Sequence, residues 1–268
     1  GPTVLDAGAG QADELFIINS TQDVIKEPWP GLSTVQSSVS YTLSNYLDLL
    51  VLTGNANLIG ADSNTSSYYN PNDTLISNSG IDTLVGDVVG NVFVVNNTND
   101  VITTNWNLPT NSVQASVNFT LPVNVNSLTL TGSAALRGVA NSANDTLVSN
   151  TGVDTLIGGA GADLFVVNNA SDVLQDTING VNSTIQASMN YVLPMDINTL
   201  MLADNGLSLT GTANNANDTL ISGTGADTLM GGTGNDTFVV NSVAAVVKDS
   251  SATAINVIQS SVSYVLPT

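Results

Sequence analysis

The chain has 268 residues, with 22 acidic side chains against three basic ones and a formal net charge of −19. This imbalance excludes nucleic acid and anionic membrane surfaces as partners, because both require clustered lysine and arginine. Without a Cys or a His, the sequence offers no disulfide, no zinc site and no usual nucleophile–base pair, so we expect no enzyme activity. No apolar run is long enough to predict membrane insertion. The acids therefore serve solubility or bind a hard cation.

A nine-residue segment recurs four times and divides the chain into repeat units. It reads VQSSVSYTL at residues 35–43 and returns with small changes at residues 113–121, 185–193 and 258–266. We expect a cleaved-tag remnant at 1–2, the end of a truncated unit at 3–34, full units at 35–112, 113–184 and 185–257, and the start of another unit at 258–268. The first full unit is the longest, which predicts a surface loop insertion at 63–71.

Large apolar residues recur every nine positions within each full unit. They are Leu75, Leu84, Phe93 and Ile102, then Leu147, Leu156, Phe165 and Leu174, then Leu220, Leu229, Phe238 and Val247. Nine residues accommodate one short strand and a turn, so two such halves complete a coil of about 18 residues. Stacked coils bury the apolar faces that no single coil can cover. The pattern predicts an all-β fold, a right-handed parallel β-helix or β-roll solenoid with little or no helix.

One stretch carries the most regular form of this block. Residues 231–239 read GGTGNDTFV and fit the pattern G-G-x-G-x-D-x-U-x at every position, where U is a large apolar residue. The preceding block, residues 222–230, departs from the pattern only at Ser222. The pattern resembles the RTX, or hemolysin-type, calcium-binding nonapeptide repeat. The resemblance implies a β-roll in which the turn carbonyls and aspartates of stacked coils hold Ca²⁺.

An aspartate stands two residues before most of the nine-spaced apolar residues. Ten of the twelve places are Asp, and the exceptions, Asn91 and Ala245, are where we expect a row of cation sites to break. Acidic residues that served solubility alone would not recur at a fixed position in each nine-residue block. An 18-residue coil stacks Asp145 with Asp163, Asp154 with Asp172, Asp218 with Asp236, and Asp82 with Asp100. With Asp227 and the turn glycines Gly159, Gly161, Gly232 and Gly234, these residues form the predicted Ca²⁺ ligand set. We expect glycine in the turns because it tolerates positive φ and lets carbonyls converge.

The resemblance further implies a non-catalytic, calcium-binding structural module of a large secreted or surface-associated bacterial protein, of the adhesin or matrix type. Ca²⁺ would neutralise the aspartates and convert an expanded chain into a rigid rod outside the cell. The expected partners are calcium ions, neighbouring repeats of the same chain, and components of a cell surface or matrix. Two alternatives stay open. One is the C-terminal RTX region of a type I-secreted enzyme or toxin, and the other is a degenerate, calcium-free β-solenoid in which Asp and Asn cap turns and form ladders.

Overall fold

The fold consists of β-strands joined by turns. A computed structural model describes residues 3–6, 13–27, 32–62, 72–86, 90–104, 110–176, 182–203, 206–249, 251 and 253–266. Within these residues every regular element is a strand and no helix occurs, as the nine-residue period predicts. In the same part of the chain, nothing forms a helix with the length and hydrophobicity needed to cross a membrane. The chain divides into two compact units, Gly1–Thr131 and Gly132–Thr268.

The first unit holds two parallel sheets and a separate strand pair. Its described strands are β1 (Val4–Asp6), β2 (Leu15–Ile18), β3 (Val24–Lys26), β4 (Thr34–Ser37), β5 (Tyr41–Leu43), β6 (Leu49–Leu52), β7 (Ile59–Asp62), β8 (Thr74–Ile76), β9 (Thr83–Gly86), β10 (Val92–Val95), β11 (Val101–Thr104), β12 (Ser112–Ala115), β13 (Phe119–Thr120) and β14 (Ser127–Leu130). The even-numbered strands from β2 to β14 lie side by side in chain order. The sheet of β5, β7, β9 and β11 is also in chain order, and β1 pairs with β3. The chain thus alternates between sheets, coil after coil.

The second unit repeats this arrangement. Its described strands are β15 (Arg137–Val139), β16 (Thr146–Val148), β17 (Thr155–Ile157), β18 (Leu164–Val167), β19 (Val173–Gln175), β20 (Thr184–Ala187), β21 (Tyr191–Val192), β22 (Thr199–Leu202), β23 (Thr210–Thr212), β24 (Thr219–Ile221), β25 (Thr228–Met230), β26 (Thr237–Val240), β27 (Val246–Lys248) and β28 (Val257–Ser260). The even-numbered strands again form one parallel sheet in chain order. The odd-numbered strands form a sheet of β15, β17 and β19 and another of β21, β23, β25 and β27. Each unit is therefore a parallel β-solenoid.

Strand register follows the nine-residue period. Leu147 lies opposite Phe165, and Leu220 lies opposite Phe238, so each of these coils corresponds to a pair of nonapeptide blocks. All twelve of the nine-spaced apolar residues are buried, and Phe165 is fully enclosed. Each such side chain contributes about 1.5–3 kcal/mol by leaving water, so these columns form the core of each solenoid. The predicted core is confirmed.

Coils that include the recurring VQ-type segment depart from this length. The coil from Phe93 to its partner Val113 is longer than a pair of nonapeptide blocks, and the coil from Val113 to its partner Leu128 is shorter. The short coil turns sharply before β14, where Asn124 has φ of 68°, a left-handed conformation that Asn tolerates better than most residues. The predicted coil length holds for the nonapeptide blocks and not for these segments. The predicted insertion at 63–71 lies outside the described residues.

Candidate metal centre in the aspartate turns

Ten aspartates stand two residues before a nine-spaced apolar residue and are called the ladder aspartates below. Each of them lies directly before a strand. Asp145 precedes β16, and Asp163 precedes β18. The same place is held by Asp73, Asp82, Asp100, Asp154, Asp172, Asp218, Asp227 and Asp236. All ten are at most 8% exposed. Burying a carboxylate is costly unless it is hydrogen-bonded or paired with a cation, so the partners of these side chains decide their role.

Carboxylates on successive coils are joined by one recurring hydrogen bond. The backbone N–H of Asp145 donates to Oδ1 of Asp163 at 2.8 Å, across 18 residues. The same bond joins Asp154 to Asp172 (2.8 Å), Asp218 to Asp236 (3.0 Å) and Asp82 to Asp100 (2.8 Å). The structure therefore brings together all four pairs that the coil length predicts. Asp227 continues the pattern by accepting the N–H of Leu209 at 2.8 Å.

The second carboxylate oxygen closes the turn to which it belongs. Oδ2 of Asp163 accepts the backbone N–H of Gly159 at 2.8 Å. In Asp145 the corresponding donor is the N–H of Asn141, at 2.7 Å. Each carboxylate thus fixes its own turn and the neighbouring coil without a metal. A carboxylate oxygen that accepts one N–H keeps a further lone pair. These hydrogen bonds therefore leave each carboxylate able to coordinate a cation.

The turn glycines make room for the neighbouring coil. None of Gly159, Gly161, Gly232 and Gly234 has a positive φ, so our predicted reason for glycine at these places is wrong. A Cβ at Gly159 would overlap the carbonyl oxygen of Asn141, and one at Gly232 would overlap that of Asn214. Gly161 and Gly234 meet the carbonyls of Ala143 and Ala216 in the same way. The carbonyls of one turn therefore face the next turn across a distance that only glycine allows.

The two exceptions to the aspartate pattern differ from each other. Asn91 keeps the hydrogen-bond row, because its Oδ1 accepts the N–H of Asp73 at 3.1 Å. Its Nδ2 lies 3.4 Å from Oδ2 of Asp62, so an amide here replaces the charge of the usual carboxylate. Ala245 is buried before β27 and offers no side-chain acceptor at all. Both places lack the anionic ligand of the pattern, and the loss of calcium there remains a prediction.

Three polar residues that continue the rows were not foreseen. The N–H of Asp163 donates to Oγ of Ser183 at 2.9 Å, and that of Asp236 donates to Oδ1 of Asn256 at 2.7 Å. Asn111 accepts in the same way from the N–H of Asn91, at 2.9 Å. Each of these acceptors lies 20 residues after its donor, whereas the aspartate pairs are separated by 18 residues. Their available signal was a fixed place directly before the VQ-type strands β12, β20 and β28.

One ladder carboxylate is under-compensated. Oδ1 of Asp218 is buried and has no hydrogen-bond partner. Burial raises the pKa of Asp218 to about 6; the N–H of Asn214 opposes this rise and the charge of Asp236 adds to it. The contrasting case is Asp23, whose pKa is lowered chiefly by the backbone N–H of Thr3. The Asp218–Asp236 pair therefore carries negative charge that the backbone does not fully balance.

The donors in these turns have the chemistry that Ca²⁺ prefers. Among the described residues, no three or more acidic, His or Cys side chains converge in a way that could hold a metal. A cation here would rely on two carboxylates with backbone carbonyls and water, and Ca²⁺ accepts about six to eight such oxygens. In the Asp218–Asp236 pair, the unpartnered Oδ1 of Asp218 and the carbonyls of Asn214 and Ala216, which face the next turn, are oxygen donors of this type. The donors of this turn therefore fit Ca²⁺ by their chemistry.

A comparison with known protein families finds a match in two stretches. Residues 139–174 and 212–242 match the family model of the RTX calcium-binding nonapeptide repeat, in four copies. These two stretches, called the RTX stretches below, are therefore similar to RTX calcium-binding repeats. The RTX stretches contain Asp145, Asp154, Asp163, Asp172, Asp218, Asp227, Asp236 and the four turn glycines, whereas Asp82 and Asp100 lie outside them. No curated protein and no solved structure matches the chain.

Proposed function

We propose that the chain is a calcium-binding structural module of a secreted or surface-associated protein, of the adhesin or matrix type. The observation that carries the proposal is the Asp218–Asp236 pair within an RTX stretch: two buried carboxylates on successive coils, with one oxygen left unpartnered. Carboxylates stacked in this way repel each other unless a cation lies between them. Ca²⁺ is the cation whose preferred donors match the turn.

Calcium would act as a ligand of the folded state. Without it, desolvation and repulsion of the aspartates oppose the stacking of coils; with it, the stacked state is favoured by mass action. Extracellular calcium modules bind with Kd of about 10⁻⁴–10⁻³ M. At a hundredfold excess over Kd, one site stabilises the fold by about 2.7 kcal/mol. A chain with this property is less stable where calcium is scarce and more stable where calcium is abundant.

A structural role is supported over a catalytic one by how the acids are arranged. The carboxylates recur at a fixed period on successive coils and do not form one distinct pair in a cleft. Each is held by backbone N–H groups, as in Asp163 with Gly159. Catalytic carboxylates instead need different environments for their different tasks. This distribution fits a module whose function is its shape and stiffness.

A calcium-free solenoid is the second candidate. It is favoured by the hydrogen bonds that already serve the ladder carboxylates, for example the two N–H groups that Asp154 accepts, from Leu136 and from Asn150. Such bonds allow the coils to stack without a metal. The two candidates differ in one respect, namely whether the free energy of unfolding depends on calcium.

Circular dichroism and thermal unfolding in EDTA, Mg²⁺ and Ca²⁺ separate these candidates. The calcium module predicts a higher melting temperature and a larger β signal in Ca²⁺ than in EDTA, with little effect of Mg²⁺. Asp218→Asn should reduce the gain, while Asp196→Asn, which removes an exposed charge, should leave it unchanged. Identical melting curves of the wild type in Ca²⁺ and EDTA would establish the calcium-free solenoid instead.

A further inference from the structure

Asp176 is a buried carboxylate outside the nonapeptide pattern. It directly follows β19 and is only 9% exposed. Both of its carboxylate oxygens are buried, and neither has a hydrogen-bond partner. An isolated ionised carboxylate in such a place is unfavourable by several kcal/mol unless a cation or a proton compensates it. The ladder described above does not use this side chain.

Asp176 and Asp163 lie close together above Gly158. A Cβ at Gly158 would lie 2.8 Å from Oδ2 of Asp163, 3.0 Å from Cζ of Phe165 and 3.2 Å from Oδ1 of Asp176. The two carboxylates are therefore neighbours across this glycine, beside the ring of Phe165. Burial raises the pKa of Asp163, two backbone N–H bonds lower it, and the charge of Asp176 raises it further.

The corresponding carboxylates of the other repeat units are replaced or hydrogen-bonded. In the first unit, Nδ2 of Asn91, the counterpart of Asp163, lies 2.6 Å from the Cβ position at Gly86. At Gly231, two carboxylates again lie near the Cβ position, but Asp249, the counterpart of Asp176, is exposed and accepts hydrogen bonds from the N–H of Ser251 and from Nδ2 of Asn256. Of these three copies, the Gly158 copy alone contains a buried carboxylate without a hydrogen-bond donor.

We propose that Asp163 and Asp176 hold a hard divalent cation above Gly158, at a site separate from the stacked turns of the RTX ladder. Carboxylate oxygens are the preferred ligands of such ions, and water completes the coordination shell when only two carboxylates are available. The first unit lacks this carboxylate pair, because Asn91 and Thr104 stand at the places of Asp163 and Asp176. The choice of Ca²⁺ as the ion rests on the proposed function, whereas the site itself rests on the geometry of Asp163, Asp176 and Gly158.

The test counts bound calcium per chain by equilibrium dialysis, in the wild type, Asp176→Asn and Asp249→Asn. Asp176→Asn removes the bare carboxylate and should bind one ion fewer than the wild type. Asp249→Asn is the matched control, because its carboxylate already has hydrogen-bond donors, and its count should equal that of the wild type. Asp176→Thr, which introduces the residue found at the matching place in the first unit (Thr104), provides a second variant if the asparagine variant folds poorly. Mg²⁺ in place of Ca²⁺ tests ion selectivity.

Thermal unfolding gives an independent readout with opposite signs. In EDTA, Asp176→Asn should raise the melting temperature, because it removes a bare buried charge; in Ca²⁺ it should lower it, because it removes a ligand. An equal calcium count, or an equal rise in both buffers, would mean that the two carboxylates share a proton and would overturn the site. If the wild type binds calcium and Asp176→Asn binds the same number of ions, only this inference fails. A wild type that binds no calcium defeats the proposed function as well.

Discussion

The backbone N–H of Asp154 donates to Oδ1 of Asp172 at 2.8 Å, while Oδ1 of Asp154 itself accepts the N–H of Leu136 from the preceding coil, also at 2.8 Å. One aspartate thus links three successive coils of the second unit. Because the bond repeats at each ladder position, the aspartates form polar rows that fix the turns beside the buried apolar columns. Each ladder aspartate therefore braces its turn and also presents carboxylate oxygens beside it.

Removing a ladder carboxylate should destabilise the protein even without calcium. Asp154→Ala leaves the part-buried N–H of Leu136 and the buried N–H of Asn150 without acceptors, and each such loss costs about 1–3 kcal/mol. We expect the free energy of unfolding in EDTA, measured with urea, to fall by about 3 kcal/mol. Asp196→Ala, at an exposed position, should change it by less than about 0.5 kcal/mol. If the free energy of unfolding falls only when calcium is present, Asp154 does not stabilise the turns through its hydrogen bonds alone.

The turn glycines should not tolerate even a methyl group. In Gly232→Ala the new Cβ would overlap the carbonyl oxygen of Asn214 on the neighbouring coil. Forcing the turns apart should lower the free energy of unfolding by about 3 kcal/mol, the upper range for overpacking. Thr233→Ala is the matched control, since Thr233 lies in the same turn with an exposed side chain. Equal melting temperatures for the two variants would show that the coils are not in contact here.

The nine-spaced apolar residues should dominate stability. Phe165 is fully buried between its neighbours Leu147 and Ile185, so Phe165→Ala should cost about 3–5 kcal/mol in urea unfolding. The control is Val173→Ala on the outer face, where the valine is 47% exposed and the change should be within about 0.5 kcal/mol. Comparable losses for the two variants would place Phe165 outside the core.

Stability without calcium should depend on pH through Asp218. Its pKa in the folded state is raised to about 6 from an ordinary value of 3.8. The folded state therefore binds the proton more tightly than the unfolded state, and this stabilisation is complete below the ordinary pKa and lost as pH rises through about 6. In EDTA, the melting temperature should fall between about pH 4 and about pH 7, and it should fall less in Asp218→Asn.

Saturating Ca²⁺ provides the control for this pH dependence. A bound cation favours the ionised carboxylate, so the difference in slope between wild type and Asp218→Asn should shrink in calcium. The same linkage makes apparent calcium affinity fall as pH drops below about 6. Parallel pH profiles for the two proteins in EDTA would show that Asp218 is not the titrating group.

The sequence pattern was sufficient for the repeating part of the fold. The nine-residue clock places Leu147 opposite Phe165 and Asp145 beside Asp163, because both the apolar side chain and the acid keep one phase in every coil. A period of this kind is a direct property of a solenoid, where each coil contacts only its neighbours. Fold and ladder therefore followed from spacing alone.

The remaining features depend on contacts between neighbouring coils. The acceptor Ser183 lies 20 residues from Asp163, beyond the 18-residue clock. The need for Gly159 comes from the carbonyl of Asn141 on another coil, and the local pattern wrongly suggested a left-handed turn. Asp176 was missed for the same reason, since its position over Gly158 appears only when the two coils are stacked. Close packing between turns is a tertiary property that period and composition do not encode.

Calorimetric titration of the 268-residue chain with Ca²⁺ measures binding in the stacked turns directly when the wild type is compared with the Asp218→Asn, Asp236→Asn double variant. If calcium binds in the stacked turns, the wild type should give a saturable heat with Kd of about 10⁻⁴–10⁻³ M. The double variant should lose the part of that heat contributed by this pair, while retaining its β signal. A wild type that gives no heat, or a double variant that titrates identically to it, would contradict the account.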